Sequence, residues 1–203
     1  MPTIRFATGP LTTFVFLLAT LTGFSGCSRA PTAPSSTPSW YERTQPRYAL
    51  ADVEIAINSF DRAQLEACLA ADFVYYFDPA EIGEQYNGYT VPVFWDRDTF
   101  VAAVDAFIEH TASVEVNTAW QTCEAPAPAE TTYYAANFPF LATVIADNGA
   151  GYRLDEGNCN YAFERDARGK WTLAKWWDRT YGCGCAGVPL SWGQLLIRYG
   201  YRP

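Results

Sequence analysis

Asn58-Ser59-Phe60-Asp61-Arg62-Ala63-Gln64-Leu65-Glu66-Ala67-Cys68-Leu69 runs directly into Ala70-Ala71-Asp72-Phe73-Val74-Tyr75-Tyr76-Phe77-Asp78-Pro79, and the hydrophobic period changes along the way. Asp61 followed by Gln64 has the spacing of a capping box, so a short helix starts there with Leu65, Cys68 and Leu69 on its inner face. Asp72 to Asp78 is dense in β-formers and is stopped by Pro79, which reads as a strand. Upstream, Pro46 suits a first helical turn, and Ala49, Val53, Ala56, Ile57 and Phe60 keep the spacing of an amphipathic helix. Downstream, residues 79–95 carry Gly83, Asn87-Gly88 and Pro92 and read as a long loop. Asp96 then caps a third helix whose apolar face is Phe100, Val101, Val104, Phe107 and Ile108.

Beyond that helix the period becomes two. Residues 114–122, 132–146, 152–164 and 171–180 are strands, separated by Pro126/Pro128, Asp147-Asn148-Gly149 and residues 166–169. Helices followed by antiparallel strands predict an α+β fold, with helices on one face of a bent sheet. No internal repeat is present. The final residues, with Trp192, Leu195, Leu196 and Tyr199, predict a short helix packed on the domain.

This order of elements resembles the nuclear transport factor 2-like fold of ketosteroid isomerases and SnoaL-like cyclases and dehydratases, over about residues 47–181. The most specific local piece is Asn58-Ser59-Phe60-Asp61 followed by Phe77-Asp78-Pro79. The resemblance implies three N-terminal helices packed on a strongly bent, mostly antiparallel sheet that forms a cone. It also implies that Asp78 stands where the isomerases keep a general base, a job that suits a carboxylate in an apolar pocket. The other reading of Asp78 is a turn cap before Pro79. The resemblance breaks at the oxyanion position. A Tyr is expected five residues before Asn58, and Val53 stands there and cannot donate a hydrogen bond, while Tyr48 falls about one and a half turns too early.

Around Asp78, the residues Tyr75, Tyr76 and Trp95 are candidates for a pocket wall. Trp176 and Trp177 must point to opposite sheet faces. Whichever faces inward would line the cone with Tyr161, and Asp178 either faces that cavity or pairs nearby. His110, the single histidine, sits at the end of the third helix, where a cation complements the helix dipole; the resemblance implies the other reading, since SnoaL-like proteins use His/Asp pairs in the cone cavity. One histidine excludes a metal site built from several, and a site of four thiolates is outweighed by disulfides in an exported chain. No cofactor is expected.

Residues 1–26 stand apart. Arg5, an apolar run from Phe6 to Leu21 and the end Phe24-Ser25-Gly26-Cys27 resemble a bacterial lipoprotein signal, which implies acylation of Cys27. Residues 27–46 hold Pro31, Pro34 and Pro38 among Ser, Thr and Ala, the composition of an extended tether. Ser28 after the acylated cysteine implies the outer membrane, facing the periplasm. Removing the signal leaves 13 basic and 22 acidic residues, a balance of −9. A chain this acidic is no nucleic-acid binder, because such binding needs a basic surface. Membrane attachment would therefore rest on the acyl chains alone.

The chain has 203 residues, 49% hydrophobic, 16% aromatic and only 18% charged, enough apolar surface to exclude extensive disorder. Of its six cysteines, Cys27 goes to lipid and Cys68, on an apolar helix face, to a buried thiol. Cys123, Cys159, Cys183 and Cys185 are disulfide candidates, and the last two would pin the tail 182–203 to the sheet. These readings together give a lipid-anchored envelope protein whose domain binds a small apolar or aromatic ligand, or a protein partner, without catalysis. The alternative is an isomerase-, cyclase- or dehydratase-like enzyme with Asp78 as base. The outer face of the sheet is a candidate homodimer surface.

Overall fold

The computed structural model describes residues 39–179 and 191–200. Helix α1 (Pro46–Ser59) opens on the expected proline and buries Ala49, Val53, Ala56 and Ile57. Phe60, expected on that face, is 38% exposed. It sits past the helix end in the left-handed conformation with φ 60, which turns its side chain off the apolar stripe. Helix α2 (Arg62–Cys68) is capped by Asp61, whose carboxylate accepts from the Gln64 N–H at 3.0 Å. Strand β1 (Leu69–Tyr76) begins three residues earlier than the pattern of apolar residues suggested.

The expected loop 79–95 is not bare loop. It contains a hairpin of β2 (Gln85–Tyr86) and β3 (Tyr89–Thr90), then β4 (Phe94–Asp96), which pairs antiparallel with β1. Asn87 and Gly88 carry φ 53 and 81, the two positive values that a two-residue hairpin turn needs. Asp96 caps α3 (Arg97–Glu109) as expected, accepting from the Thr99 N–H at 2.9 Å. The third helix thus follows four strands rather than standing among N-terminal helices.

The long strands come next: β5 (Thr111–Asn117), β6 (Thr132–Ala146), β7 (Gly151–Arg165) and β8 (Trp171–Trp177). Expected strand 114–122 starts earlier and stops at Asn117, because residues 118–122 turn into a short 3-10 segment. Helix α4 (Trp192–Tyr199) follows, capped by Ser191, whose hydroxyl accepts from the Gln194 N–H. None of these helices is long and apolar enough to cross a membrane.

Six strands form one sheet in the order β4-β1-β8-β7-β6-β5, and every pairing is antiparallel except β1 with β8. Register shifts along β6 and β7 bend it. At one shift Asn137 takes φ 57, and its N–H donates to Asn160 Oδ1 at 2.8 Å. The free edge of β5 is closed by α1. Asn58 donates to the Val116 carbonyl at 2.8 Å and accepts from its N–H at 2.7 Å, acting as a one-residue strand. The concave face and the helices share a core that includes Trp171, Trp176 and Trp192, all fully buried. Each such aromatic contributes about 1.5–3 kcal/mol of transfer free energy.

Candidate functional site

The parallel pairing of β1 and β8 sets two strand ends side by side. Tyr75 pairs with Trp176 and Tyr76 with Trp177, and the Asp178 N–H donates to the Tyr76 carbonyl at 2.9 Å. Alternation then sends Tyr75, Phe77, Trp176 and Asp178 to the inner face, where all four are buried. Asp178 is 1% exposed. Its Oδ2 accepts from the Tyr75 hydroxyl at 2.5 Å and the Gly193 N–H at 2.7 Å. Its Oδ1 accepts from the Arg179 N–H at 2.9 Å, with the Cys159 thiol 3.9 Å away. Burial pushes the Asp178 carboxyl up to about 6, against the pull of these donors, and Asp78 adds to the push. Burial and Asp178 together hold the Tyr75 hydroxyl well above its ordinary value.

Two more carboxylates join from the turn after β1. Asp78 is buried, its Oδ1 accepts from the Ala80 N–H at 2.8 Å and its carbonyl from the Glu81 N–H at 2.9 Å. The turn-cap reading of Asp78 therefore describes its geometry. Glu81 is 2% exposed and accepts from the Ser191 hydroxyl at 2.7 Å, while its Oε1 has no partner among the described residues. Burial first, then Asp178, pushes Glu81 up to about 8. Burial thus pushes both carboxyls toward holding a proton, and each acidic neighbour adds to the push. Such a pair can give and take protons, and the Tyr75 hydroxyl is a donor inside the cone, although it comes from a strand rather than from α1. Val53, at the position expected for a helix Tyr, is plain core.

Helix α4 fills the space beside this group. Trp192, Leu195 and Leu196 are fully buried, with the Trp192 ring 5.2 Å from Phe107 and 5.5 Å from Phe140, centroid to centroid. Gly193 is pressed so close that a Cβ there would lie 2.6 Å from the Phe77 ring and 3.0 Å from the Tyr75 hydroxyl. The Trp192 indole N–H finds no acceptor among the described residues.

Of the candidate residues, Asp78, Asp178, Tyr75, Trp95, Trp176 and Tyr161 gather at the inner face. Trp95 packs edge-on against Phe77 at 4.6 Å and donates to Tyr89 Oη at 2.9 Å. Tyr161 packs against Trp176 at 5.4 Å. His110 is not with them. It is the C-cap of α3 and lines a recess of about 320 Å³ with Asp147, Arg198 and Tyr199. Tyr76 and Trp177 point to the outer face, stacked at 5.4 Å with an 8° angle. Phe94 at 6.2 Å and Tyr134 at 5.8 Å extend them into an aromatic band across the sheet, its two ends 53% and 56% exposed. Beside it lies a recess of about 410 Å³ lined by Asp72, Tyr134, Lys175 and Trp177 among others.

No disulfide joins the described cysteines. The Cys123 thiol is free, contrary to expectation, and is buried beside the Tyr133 hydroxyl, with burial pushing it up to about 11. The Cys159 thiol lies 3.9 Å from Asp178 Oδ1 in the core. Cys68 is the buried thiol expected, pushed up to about 12 by burial. Cys27, Cys183 and Cys185, with the signal and tether boundaries before residue 39, lie outside the described residues. Among the described residues no group of three His, Cys, Asp or Glu side chains is placed to hold a metal ion.

Glu81 and Ser191 are functional candidates that sequence reasoning missed. An acid three residues after Asp78 in a Pro- and Gly-containing stretch reads as solvated, and its buried partner Ser191 lies far along the chain.

No family model matches the sequence, and no curated protein is significantly similar to it. Solved structures do match. A conserved protein from Planctomyces limnophilus is 21% identical, covering 64% of this chain and 89% of its own, with a TM-score of 0.51. A candidate scytalone dehydratase from Novosphingobium aromaticivorans is 13% identical over 70% of this chain and 88% of its own, TM-score 0.50. A nuclear transport factor 2-like superfamily protein from Salmonella enterica is 9% identical over 68% and 90%, TM-score 0.46. At these identities the likeness is one of fold: among the described residues, an α+β arrangement of a curved mixed sheet and four helices.

Proposed function

We propose that this chain is a lipid-anchored bacterial envelope protein, tethered through acylated Cys27 to the outer membrane, whose domain binds a partner without turning over a substrate. One observation carries the non-catalytic reading. Helix α4 buries Trp192, Leu195 and Leu196 in the interior and bonds to Glu81 and Asp178 through Ser191 and Gly193, so the chain's own side chains fill space that a substrate would need. Binding then falls to the outer face, where Phe94, Tyr76, Trp177 and Tyr134 offer aromatic surface next to the Asp72–Lys175 recess. A protein partner or a flat apolar ligand would gain from this band, since aromatic side chains supply most of the energy at such contacts. The signal-like segment and the proline-rich tether support the anchor.

The test is capture of envelope partners by the full chain, compared with Trp177→Ala and Tyr134→Ala. Loss of the same specific partner in both variants supports the reading; retention in both removes the band from it. For the anchor, Cys27→Ser should release the protein from the membrane fraction, and unchanged fractionation would defeat the acylation claim. A second reading is favoured by the buried Asp78, Glu81, Asp178 and Tyr75, which can exchange protons: an isomerase- or dehydratase-like enzyme with Asp78 as base. Turnover of conjugated ketones that Asp78→Asn abolishes would establish it in place of the first.

A further inference from the structure

The outer-face recess of about 410 Å³ combines an aromatic end with an acidic end, and the strand register fixes its plan. On β7, Ala162 pairs with Tyr134 of β6 on one side and with Lys175 of β8 on the other, so a single methyl group floors the space between larger side chains. Strand β8 carries an extra residue here. Ala162 pairs with Lys175 and Phe163 with Leu173, which leaves Ala174 unmatched. The bulge puts Lys175 on the outer face together with Ala174. Trp177 and Tyr134 close one end, their ring centroids 5.8 Å apart and their planes at 77°. The corner of such a T is bounded by one face of each ring. Glu164 stands two residues past Ala162, about 7 Å further along β7, and Asp72 on β1 also lies on the side away from Trp177. These charges sense one another: burial first, then Asp72, raises the proton affinity of Glu164, and Lys175 lowers it. Among the described residues none of the three is in an ion pair, and Lys175 is exposed.

We propose that this recess binds a small organic cation, a quaternary ammonium carrying no anionic group, held between the Trp177–Tyr134 corner and the Asp72–Glu164 carboxylates. The inference rests on the outer face being the binding surface and names what the recess takes. Two carboxylates against one ammonium leave an excess of negative charge in the recess, on a chain that is itself acidic. A neutral flat ligand seated here would strip water from the carboxylates and return nothing for it. A cation gains at both ends, from ring faces within about 6 Å and from the acids beyond them. A quaternary ammonium fits better than a compact ammonium or sodium ion. It is weakly hydrated, and it has no N–H that the ring faces would leave without an acceptor. A phosphate or carboxylate on the same ligand would be repelled by Asp72 and Glu164, which selects a free cation over a zwitterionic headgroup. Lys175 is then the resident competitor, a charge of the ligand's own sign at the edge of its site.

The experiment titrates the full chain with choline and with its uncharged carbon isostere, dimethylbutanol, followed by NMR of the backbone amides and the Trp177 indole N–H. Choline should bind at least about fivefold more tightly than the isostere, the worth of a cation on aromatic faces, and should shift the signals of Trp177, Tyr134 and Lys175. Phosphocholine should bind more weakly than choline. Asp72→Asn should weaken choline about threefold and Lys175→Met should strengthen it about threefold, the effect of one unit charge about 7 Å away through water. Dimethylbutanol should respond to neither. Asp72 and Lys175 are both exposed, so these variants leave the fold intact. Equal affinity for choline and dimethylbutanol overturns the proposal, as does choline binding that neither charge variant moves or that shifts signals away from the recess. Phosphocholine binding as tight as choline overturns the choice of a free cation. If choline fails to bind while Trp177→Ala and Tyr134→Ala still lose a captured partner, the cation falls and the aromatic band stands. If capture persists in both variants as well, the two readings fall together.

Discussion

Gly193→Ala sets two well-known effects against each other, and the structure says which wins. In an unconstrained helix interior, alanine stabilises over glycine by about 1 kcal/mol. Here the new Cβ would lie 2.6 Å from both Cδ1 and Cε1 of Phe77 and 3.0 Å from the Tyr75 hydroxyl. Ordinary carbon contacts begin near ~3.5 Å, so the ring or the helix must yield by about 1 Å. Phe77 is itself hemmed in by Tyr75 at 5.1 Å and Trp95 at 4.6 Å. Overpacking of this kind costs about 1–3 kcal/mol. If the helix moves instead, the hydrogen bond from Gly193 to Asp178 stretches, and a bond to a charged group contributes about 1.5–3 kcal/mol. Net destabilisation of about 2 kcal/mol is expected. Equilibrium urea unfolding should show a lower midpoint at unchanged slope, with Tm down by about 4–8 °C. In a Phe77→Ala background the ring is gone, and the same substitution should become neutral or stabilising. Stabilisation by Gly193→Ala in the wild-type background would mean that α4 does not pack on Phe77 and Tyr75, and the plugged interior would fall with it.

Asn58→Ala removes both hydrogen bonds to Val116, leaving the β5 edge open, and should cost about 1–3 kcal/mol with faster exchange of the Val116 amide; an unprotected Val116 amide in the wild type would contradict this. Tyr75→Phe removes a donor that favours the charged form of Asp178, so the Asp178 carboxyl should titrate above its value of about 6 by carbon-13 NMR; a shift downward would refute the described contact. Cys123→Ser should leave electrophoretic mobility under non-reducing conditions unchanged, because that thiol is free; a mobility shift would reveal a bridge.

Local chemistry made much of the fold legible. Asp61 and Asp96 each cap a helix through the residue three positions on, and a capping side chain needs nothing beyond its own turn. Strand β6 matched its alternating pattern from Thr132 to Ala146, and the flanking turn residues Asp147-Asn148-Gly149 fixed its end. What stayed hidden was long-range. Nothing near Asp78 announces that β8 will lie parallel to β1 and bring Asp178 beside it. Glu81 looked like a loop acid, and the Ser191 hydroxyl that bonds it in the core lies 110 positions later. The split of Trp176 and Trp177 between faces followed from alternation, yet only the register showed that Trp177 stacks on Tyr76. The short pairing of β4 with β1 escaped notice because three residues give no period to read.

The parallel contact between β1 and β8 also governs when this domain can fold. Tyr75 and Asp178 are 103 positions apart, and closing a loop of that length costs about 4 kcal/mol of chain entropy before any contact repays it. The β6–β7 hairpin closes over a few residues and can form early. Strand β1, synthesised long before, has only the three-residue β4 to pair with until β8 exists. Folding is therefore a late and comparatively slow event that completes from the C-terminal side. A chain cut short before Trp171 would lose a central strand and α4 together, and would leave the edges of β1 and β7 open to pairing with other chains.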